Sequence, residues 1–568
     1  MRIRFQQVAV ALIKRAMITR IALFLRARLL EKLPARLQRL PPHSHLSDPI
    51  LQALNQALRE GHTCLSLEEL TARMETEAGL SKSSPDEVFG ALRQLQSHHQ
   101  VHFTETHVAL AHCYRAEEAI AKELPRIGRR LRAINSHRLK GWLHLEDGKL
   151  SDEQRDAVRF LANSPVSILT GAPGTGKTST VKALISVFEK AGYCVRLAAP
   201  TGRAAQRLRE MAGCSAHTLH KLLQNDCLKP RSFWNFIFPI ADVLIVDEAS
   251  MIDLFLMARL VSVCSSSTRL ILVGDVNQLP SIGPGQVLYD LIESKQIPVV
   301  RLQTNYRQIN ESQIITAAEE IREGRIPDLP APGTTKSDCY FIEAETAAEI
   351  ERLVIKAVTR SLPTRCGADP YQSIQVLTPK HKGILGTVFL NGQIQEALNA
   401  RRLSDGFNVE STHPSFLLGD RVLHTKNNYQ LGVFNGQCGS VQATTTETVT
   451  VRYGERDVIY TGASLPQLTH GFAISIHRSQ GSEYPFVIIP VHESQYPMLN
   501  RELLYTALTR GQQMVVLIGS SHALAMAVEN STTGKRQTML RQLLAGKSSP
   551  LHQAPSILRR LRFRENRY

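Results

Sequence analysis

Residues 171–178 read Gly171-Ala172-Pro173-Gly174-Thr175-Gly176-Lys177-Thr178. This is the full phosphate-loop spacing, G-x-x-x-x-G-K-[ST]. The apolar run Val166, Ser167, Ile168, Leu169 before it reads as a buried strand, and Val181-Lys182-Ala183-Leu184-Ile185 after it reads as a helix. Strand, glycine loop and helix are the context in which the motif carries meaning. Gly174 and Gly176 let the backbone turn its N–H groups toward phosphate oxygens, and the helix N-terminus adds positive potential at the same point. Lys177 can reach the β- and γ-phosphates, and Thr178 can ligate Mg²⁺. With Ser179 the stretch forms the candidate nucleotide cradle, and the expected cofactors are ATP and Mg²⁺.

Outward from the loop, short apolar runs alternate with helical ones. The strands fall at 166–169, 194–199, 242–246, 269–273, 299–302, 374–378, 486–491 and 514–518. Strands separated by helices imply parallel sheets wound on both faces. Asp242-Val243-Leu244-Ile245-Val246-Asp247-Glu248 is one such strand ending in two carboxylates. Beside a phosphate loop, Asp247 can hold Mg²⁺ and Glu248 can polarise the attacking water. Leu270 to Asp275 is another, followed by Asn277-Gln278-Leu279-Pro280. Strand ends are where open α/β sheets bind ligand, so Gln278 can report a γ-phosphate or water. Taken alone, it reads more readily as a solvated loop glutamine.

The chain has 568 residues, net charge +16, 43% hydrophobic and 21% charged residues. That length implies about three or four domains. The positive balance suits a polyanionic partner, nucleic acid first, although a solvated basic surface gives the same number. Nine cysteines without a C-x-x-C pair match neither zinc ligation nor a disulfide framework, which fits a cytoplasmic protein with reduced thiols. No apolar run is long enough to span a bilayer. Residues 1–40 form a basic amphipathic extension that suits nucleic acid, a membrane surface, a partner, an organellar transit peptide or plain solvation. Residues 41–149 read as mainly helical, with a small hairpin near Val101 and Val108 in a winged-helix-like arrangement. Residues 546–568 form a basic tail. Residues 419–461, with short strands and Asn-Gly turns, read as a small antiparallel unit.

The ordered set of motifs resembles superfamily 1 helicases of the 5′→3′ branch, and within them the RecD-like DNA helicases. The matching segments are Leu150–Gln154, Gly171–Thr178, Ala198–Ala205, Thr218–His220, Val246–Ser250, Val273–Gly285, Asn305–Gln308, Leu377–Pro379, Gly419–Gly439, Ile476–Glu483 and Tyr505–Arg510. They cover about residues 150–520. The resemblance implies an α/β fold: two RecA-like parallel-sheet P-loop domains (150–300, then 301–418 with 462–545), a small β-barrel insert and a mainly helical N-terminal domain.

It also implies roles. Gln154 would meet the adenine edge, Glu483 would line the nucleotide cleft, and Gln278 would couple the γ-phosphate to motion. Arg307 and Arg510 would reach the phosphates from the second domain, where a guanidinium stabilises charge on the transferred group. Pro200, Thr201, His220, Thr378, Asn428 and His477 stand at positions similar to the family's strand contacts, and their chemistry suits phosphate contacts that do not read sequence. Phe233 and Trp234 lie where the family carries its strand-separating pin, or are core aromatics. The implied activity is ATP-dependent 5′→3′ unwinding of DNA in repair or recombination, on single-stranded and tailed duplex DNA. Two forms stay open: a stand-alone monomer, and the alpha subunit of an exodeoxyribonuclease V complex with nuclease and helicase partners. Residues 1–150 lack the Leu-Pro-Gly-Ile type of hairpin repeat found in the stand-alone form.

Overall fold

The computed structural model describes residues 46–78, 85–131, 134, 139, 141–142, 150–225, 241–304, 312–404, 413, 415–428 and 430–546. The basic extension at 1–40, the 547–568 part of the basic tail, Phe233, Trp234 and Arg307 lie outside the described residues.

Three helices, Ser47–Arg59, Leu67–Ala78 and Pro85–Ser97, alternate with strands β1 (Cys64–Ser66), β2 (Val101–Phe103) and β3 (His107–Leu110). The strands form an antiparallel sheet in the order β1-β3-β2. The hairpin at 101–110 follows the sequence expectation. β1 does not, because three residues carry no measurable periodicity. Ile50, Leu54, Leu92 and Leu95 recur at helical spacing and are fully or almost fully buried.

The next sheet contains β4 (Val166–Gly171), β5 (Val195–Ala199), β6 (Ala216–Thr218), β7 (Val243–Val246), β8 (Arg269–Gly274) and β9 (Val299–Leu302). All pairings are parallel, in the order β6-β5-β7-β8-β4-β9. The central strand β7 (Val243–Val246) is an unbroken apolar run, as expected of a parallel strand covered on both faces. Every residue of β7 is 0% exposed, so a charge placed there would unfold the layer. The strand order sets β7, β8 and β4 side by side. The phosphate loop, Asp247 and Asp275 therefore emerge along one carboxyl edge.

A second parallel sheet follows, from β10 (Cys339–Glu343), β11 (Ile374–Thr378), β17 (Ala473–Ser475), β18 (Tyr484–Val491) and β19 (Gly511–Gly519), ordered β10-β19-β18-β11-β17. Between β11 and β17 lies an antiparallel sheet: β12 (Arg421–His424), β13 (Cys438–Thr444), β14 (Thr448–Tyr453), β15 (Arg456–Thr461) and β16 (Leu468–His470), ordered β15-β14-β13-β12-β16. Val449, Val451 and Tyr453 alternate inward along β14 and close its core with Val422, Val441 and Tyr460. The unit runs past residue 461, since β16 pairs with β12.

After the helix Ser521–Glu529 the chain turns back. Gln537 O accepts Thr63 N at 2.9 Å and Cys64 N at 3.3 Å, and the helix Leu540–Leu544 packs on the helices Ala111–Glu123 and Val287–Glu293. Residues 531–546 thus dock on the first two units instead of extending the second parallel sheet. No described helix is long and apolar enough to cross a membrane.

Candidate active site and groove

The phosphate loop leaves β4 and enters the helix Lys177–Lys190. Gly174 (φ 86°) and Gly176 (φ 83°) occupy the left-handed region, which a side chain would strain. Lys177 Nζ donates to Gly171 O (2.6 Å) and Ala172 O (3.0 Å), and Thr175 Oγ1 donates to Ala172 O (2.8 Å). The lysine is thereby held over the loop that it would share with phosphate. Burial lowers its pKa, while Asp275, Glu248 and Asp247 pull it back up.

Asp247 follows β7. Burial, then the neighbouring Glu248, pushes its carboxyl up to about 6, against the backbone N–H of Glu248 that donates to Oδ1 at 2.8 Å. Glu248 has φ 52° and ψ 42°, a left-handed conformation that costs a non-glycine residue ~1–3 kcal/mol. Such strain is concentrated at functional sites, and here it falls on the residue expected to activate water.

One cleft of about 350 Å³ is lined by Pro173, Gly174, Gly176, Lys177, Thr178, Asp247, Glu248, Gln278, Glu483 and Arg510. The two parallel sheets supply opposite walls. Gln278 is 6% exposed, and its Oε1 is buried with no hydrogen-bond partner. An orphaned acceptor costs stability unless something completes it. Arg510 is 3% exposed and held by Nε to Thr506 O (3.1 Å) and Nη1 to Ser482 O (3.1 Å). Ser179 is exposed on the helix that follows the loop.

Gln154 lies beside the loop. It is 4% exposed; its Oε1 accepts Ser151 N (3.1 Å) and its Nε2 donates to Thr175 O (3.4 Å). Both ends of the amide are engaged in capping the helix Asp152–Asn163 and bracing the phosphate loop, and Gln154 is not among the residues that line the cleft.

Sequence reasoning missed the groups that join the walls. Tyr505 OH donates to Asp275 Oδ2 at 2.8 Å, Leu279 N donates to Thr506 Oγ1 at 2.9 Å, and Gln480 Nε2 donates to Leu279 O at 3.1 Å. Arg207, on the helix Gly202–Ala212, meets Glu483 at 2.6 Å. One turn earlier Arg203 lies 5.2 Å from the Tyr484 ring centroid and donates to Gly436 O at 3.4 Å. The i,i+4 spacing of Arg203 and Arg207 put both on one helix face, a signal available in the sequence.

The expected strand contacts do not converge. Thr378 is 0% exposed; its Oγ1 donates to Leu385 O (2.5 Å) and accepts Gln495 Nε2 (3.3 Å). Its hydroxyl braces the loop that follows β11. Asn428 uses Nδ2 on Gln467 Oε1 and Oδ1 on the Gln430 and Leu431 amides, which fixes a turn in the antiparallel unit. Thr201 caps the helix Gly202–Ala212 through Ala204 N (3.2 Å), Pro200 precedes it half-buried, and His220 is exposed at the start of the helix Leu219–Asn225. His477 alone of the six lines a cavity of about 1130 Å³, where burial lowers the pKa of its imidazole. The cavity is walled by His381, His470, Arg478, Lys535 and Arg536, with Pro280, Ser281 and Ile282 entering from the first parallel-sheet unit. Among the described residues no cluster of His, Cys, Asp or Glu suited to a metal ion occurs. A cation that keeps water and phosphate oxygens and takes one or two protein ligands fits Thr178 and Asp247.

Residues 149–335 match the family model described as an AAA domain, residues 390–453 that of the ATP-dependent RecD-like DNA helicase SH3 domain, and residues 470–518 that of the UvrD-like helicase C-terminal domain. The chain is 36% identical over 402 residues to the ATP-dependent RecD2 DNA helicase of Deinococcus radiodurans, covering 70% of this chain and 53% of that protein. It is 32% identical over 432 residues to the RecBCD enzyme subunit RecD of Mycolicibacterium smegmatis, covering 69% of this chain and 75% of that protein. This chain therefore spans about half the length of the first relative and three quarters of the second. Among solved structures, the Pif1 helicase from Bacteroides in complex with ADP-AlF3 and ssDNA is 21% identical, with TM-score 0.41, over 65% of this chain and 92% of that one.

Proposed function

The chain belongs to the RecD-like helicase family, and from that premise we propose that it is an ATP-dependent DNA helicase moving 5′→3′ along single strands and opening tailed duplex. One observation carries the reading: a nucleotide-sized cleft is walled by both parallel sheets, with Lys177, Asp247 and Glu248 on one side and Glu483 and Arg510 on the other. Hydrolysis in such a cleft depends on its closure, and closure is movement.

ATP phosphates would lie on the loop amides and Lys177, and the β–γ bond would break while Arg510 faces the charge gathering on the γ-phosphate. Glu248 would orient and deprotonate the attacking water. Gln278, whose Oε1 lacks a partner, would accept a hydrogen bond from that water. Thr178 and Asp247 would hold Mg²⁺, which supplies charge neutralisation on the phosphates when bound. The strand would thread the large cavity, where His477, Arg478 and Lys535 suit backbone contacts. The N-terminal module, with its helix–strand–helix–helix–strand–strand order, would act as a winged-helix-like unit. The eight described cysteines are all free, which supports a reducing cytoplasmic setting.

The test is purified protein with duplexes tailed at 5′ or 3′. Expected are single-strand-stimulated hydrolysis and unwinding from the 5′ tail only, both reduced by Lys177→Ala about 10²–10³-fold. Hydrolysis that ignores single strands would overturn the motor reading. The match to RecD subunits supports the alternative of an assembled motor; a lone active monomer in a size measurement excludes obligate assembly.

A further inference from the structure

The loop 279–285 begins next to Gln278 of the nucleotide cleft, and its residues 279–282 line the large cavity. At the first end, Gln278 lines the cleft and Leu279 N is held by Thr506 Oγ1 at 2.9 Å. In the middle, Pro280, Ser281 and Ile282 line the cavity, and Ile282 is 79% exposed. Any movement that relates nucleotide to strand through this loop requires that its shape be kept.

Ser281 Oγ donates to Gly283 O (2.9 Å) and Gly285 O (3.3 Å) within the loop and Leu254 N donates to Pro284 O (2.9 Å), and a further set of bonds comes from outside both parallel-sheet units. Arg536 Nη1 donates to Gly285 O (2.6 Å), Gly283 O (3.1 Å) and Ser281 Oγ (3.3 Å), and Nη2 donates to Ser281 O (2.9 Å). Gln286 Nε2 returns a bond to Arg536 O at 3.0 Å. Three backbone carbonyls converging on one point repel each other, so the loop needs a cation with several fixed donors there. The far side of the guanidinium rests on Gly61, where an added Cβ would come within 2.6 Å of Arg536 Nε. Gly61 O also accepts Gly285 N at 2.9 Å. The next residue, Gln537, joins the edge of β1 by accepting Thr63 N and by donating to His62 Nδ1 at 3.0 Å. The guanidinium thus joins the loop to the returning segment and packs on Gly61 of the N-terminal module, beside the Gly285–Gly61 and Gln537 bonds.

We propose that Arg536 is the positioning residue of the 279–285 loop, and that through it the segment following the second parallel-sheet unit sets how much strand movement each ATP yields. The proposal rests on the helicase reading above. A lysine keeps the charge but offers one point where the fork serves four acceptors.

The experiment uses the full chain. Strand-stimulated ATP hydrolysis, base pairs unwound per ATP on a 5′-tailed duplex, and hydrogen exchange of peptides spanning 276–288 are measured for wild type, Arg536→Gln, Arg536→Lys and Ser281→Ala. Arg536→Gln is expected to cut unwinding per ATP about tenfold, in the range of ordinary coupling energies, and to speed exchange in the loop. The KM for ATP is expected to move less than about twofold. Arg536→Lys should fall between, and Ser281→Ala should show a smaller change of the same sense. Wild-type exchange in the loop of Arg536→Gln, or wild-type unwinding per ATP, overturns the proposal. A fall in hydrolysis and unwinding by one common factor, tracking a lower melting temperature, overturns it also, because Arg536 would then only hold the fold. If wild type itself unwinds nothing, the helicase reading fails, and loop exchange still decides whether the clamp exists.

Discussion

Tyr505→Phe removes one oxygen from the joint between the two halves of the cleft. Tyr505 is 1% exposed and Asp275 is 2% exposed, so the hydroxyl at 2.8 Å from Asp275 Oδ2 has no water to replace it. The ring stays, so no sizeable cavity forms and packing around Leu504 and Leu508 is retained. Asp275 Oδ1 keeps Asn277 N (3.0 Å) and Asn277 Nδ2 (3.2 Å), while Oδ2 loses its donor. A hydrogen bond to a charged group is worth ~1.5–3 kcal/mol when the partner is left buried and unpaired. If that bond is made only with the cleft closed, its loss lowers the closed population about 10- to 150-fold, at ~1.4 kcal/mol per decade. The same variant leaves every phosphate-loop residue in place. The expected result is therefore a lower strand-stimulated kcat with little change in the binding of a fluorescent nucleotide. Steady-state hydrolysis against ATP concentration, with a direct nucleotide titration, measures both. A kcat within twofold of wild type would refute the view that this bond spans the moving joint; an equal loss in nucleotide affinity would place the effect in the loop instead.

Arg207 and Glu483 form a partly exposed ion pair across the same joint, with side chains 43% and 18% exposed. Such pairs contribute ~0.2–1 kcal/mol, so Arg207→Glu or Glu483→Arg alone should lower strand-stimulated hydrolysis a few-fold and the double exchange should restore part of it; no restoration in the double variant would show that the two do not act on each other. Glu117 accepts Thr63 Oγ1 (2.6 Å) and Met539 N (3.2 Å) where the returning segment docks. Burial pushes its carboxyl up to about 8, and burial pushes Asp290 to about 7. The folded state therefore holds protons that an unfolded carboxyl, near 4.5 for Glu, has released. Stability is greatest below the unfolded value and falls as pH rises through about 8. Glu117→Gln should flatten the decline of melting temperature between about pH 6 and 8, and an unchanged slope would assign the effect elsewhere.

The sequence by itself determined the parts whose chemistry is local along the chain. Gly171–Thr178 carries its strand, its left-handed glycines and its helix start within a few residues, and β4, β5, β7, β8, β9, β11, β18 and β19 announce themselves as largely apolar runs, whereas β6, β10 and β17 do not. Asp247-Glu248 is legible because a buried strand ends there. Tertiary structure decided what each polar group faces. Thr378 has the chemistry of a strand contact, yet its hydroxyl is sealed by Leu385 O and Gln495. Gln154 has the chemistry of a base contact, yet its amide braces the loop. β1, β6 and β16 are three residues each, too short for a period, and exist because distant partners complete their hydrogen bonds. The bonds that turn a phosphate cradle into half of a jointed cleft run from Asp275 to Tyr505, from Arg207 to Glu483 and from Ser281 to Arg536, each across more than 200 residues. Spacing along the chain encodes backbone geometry over a few residues; it holds no record of which side chains folding will bring together from separate units.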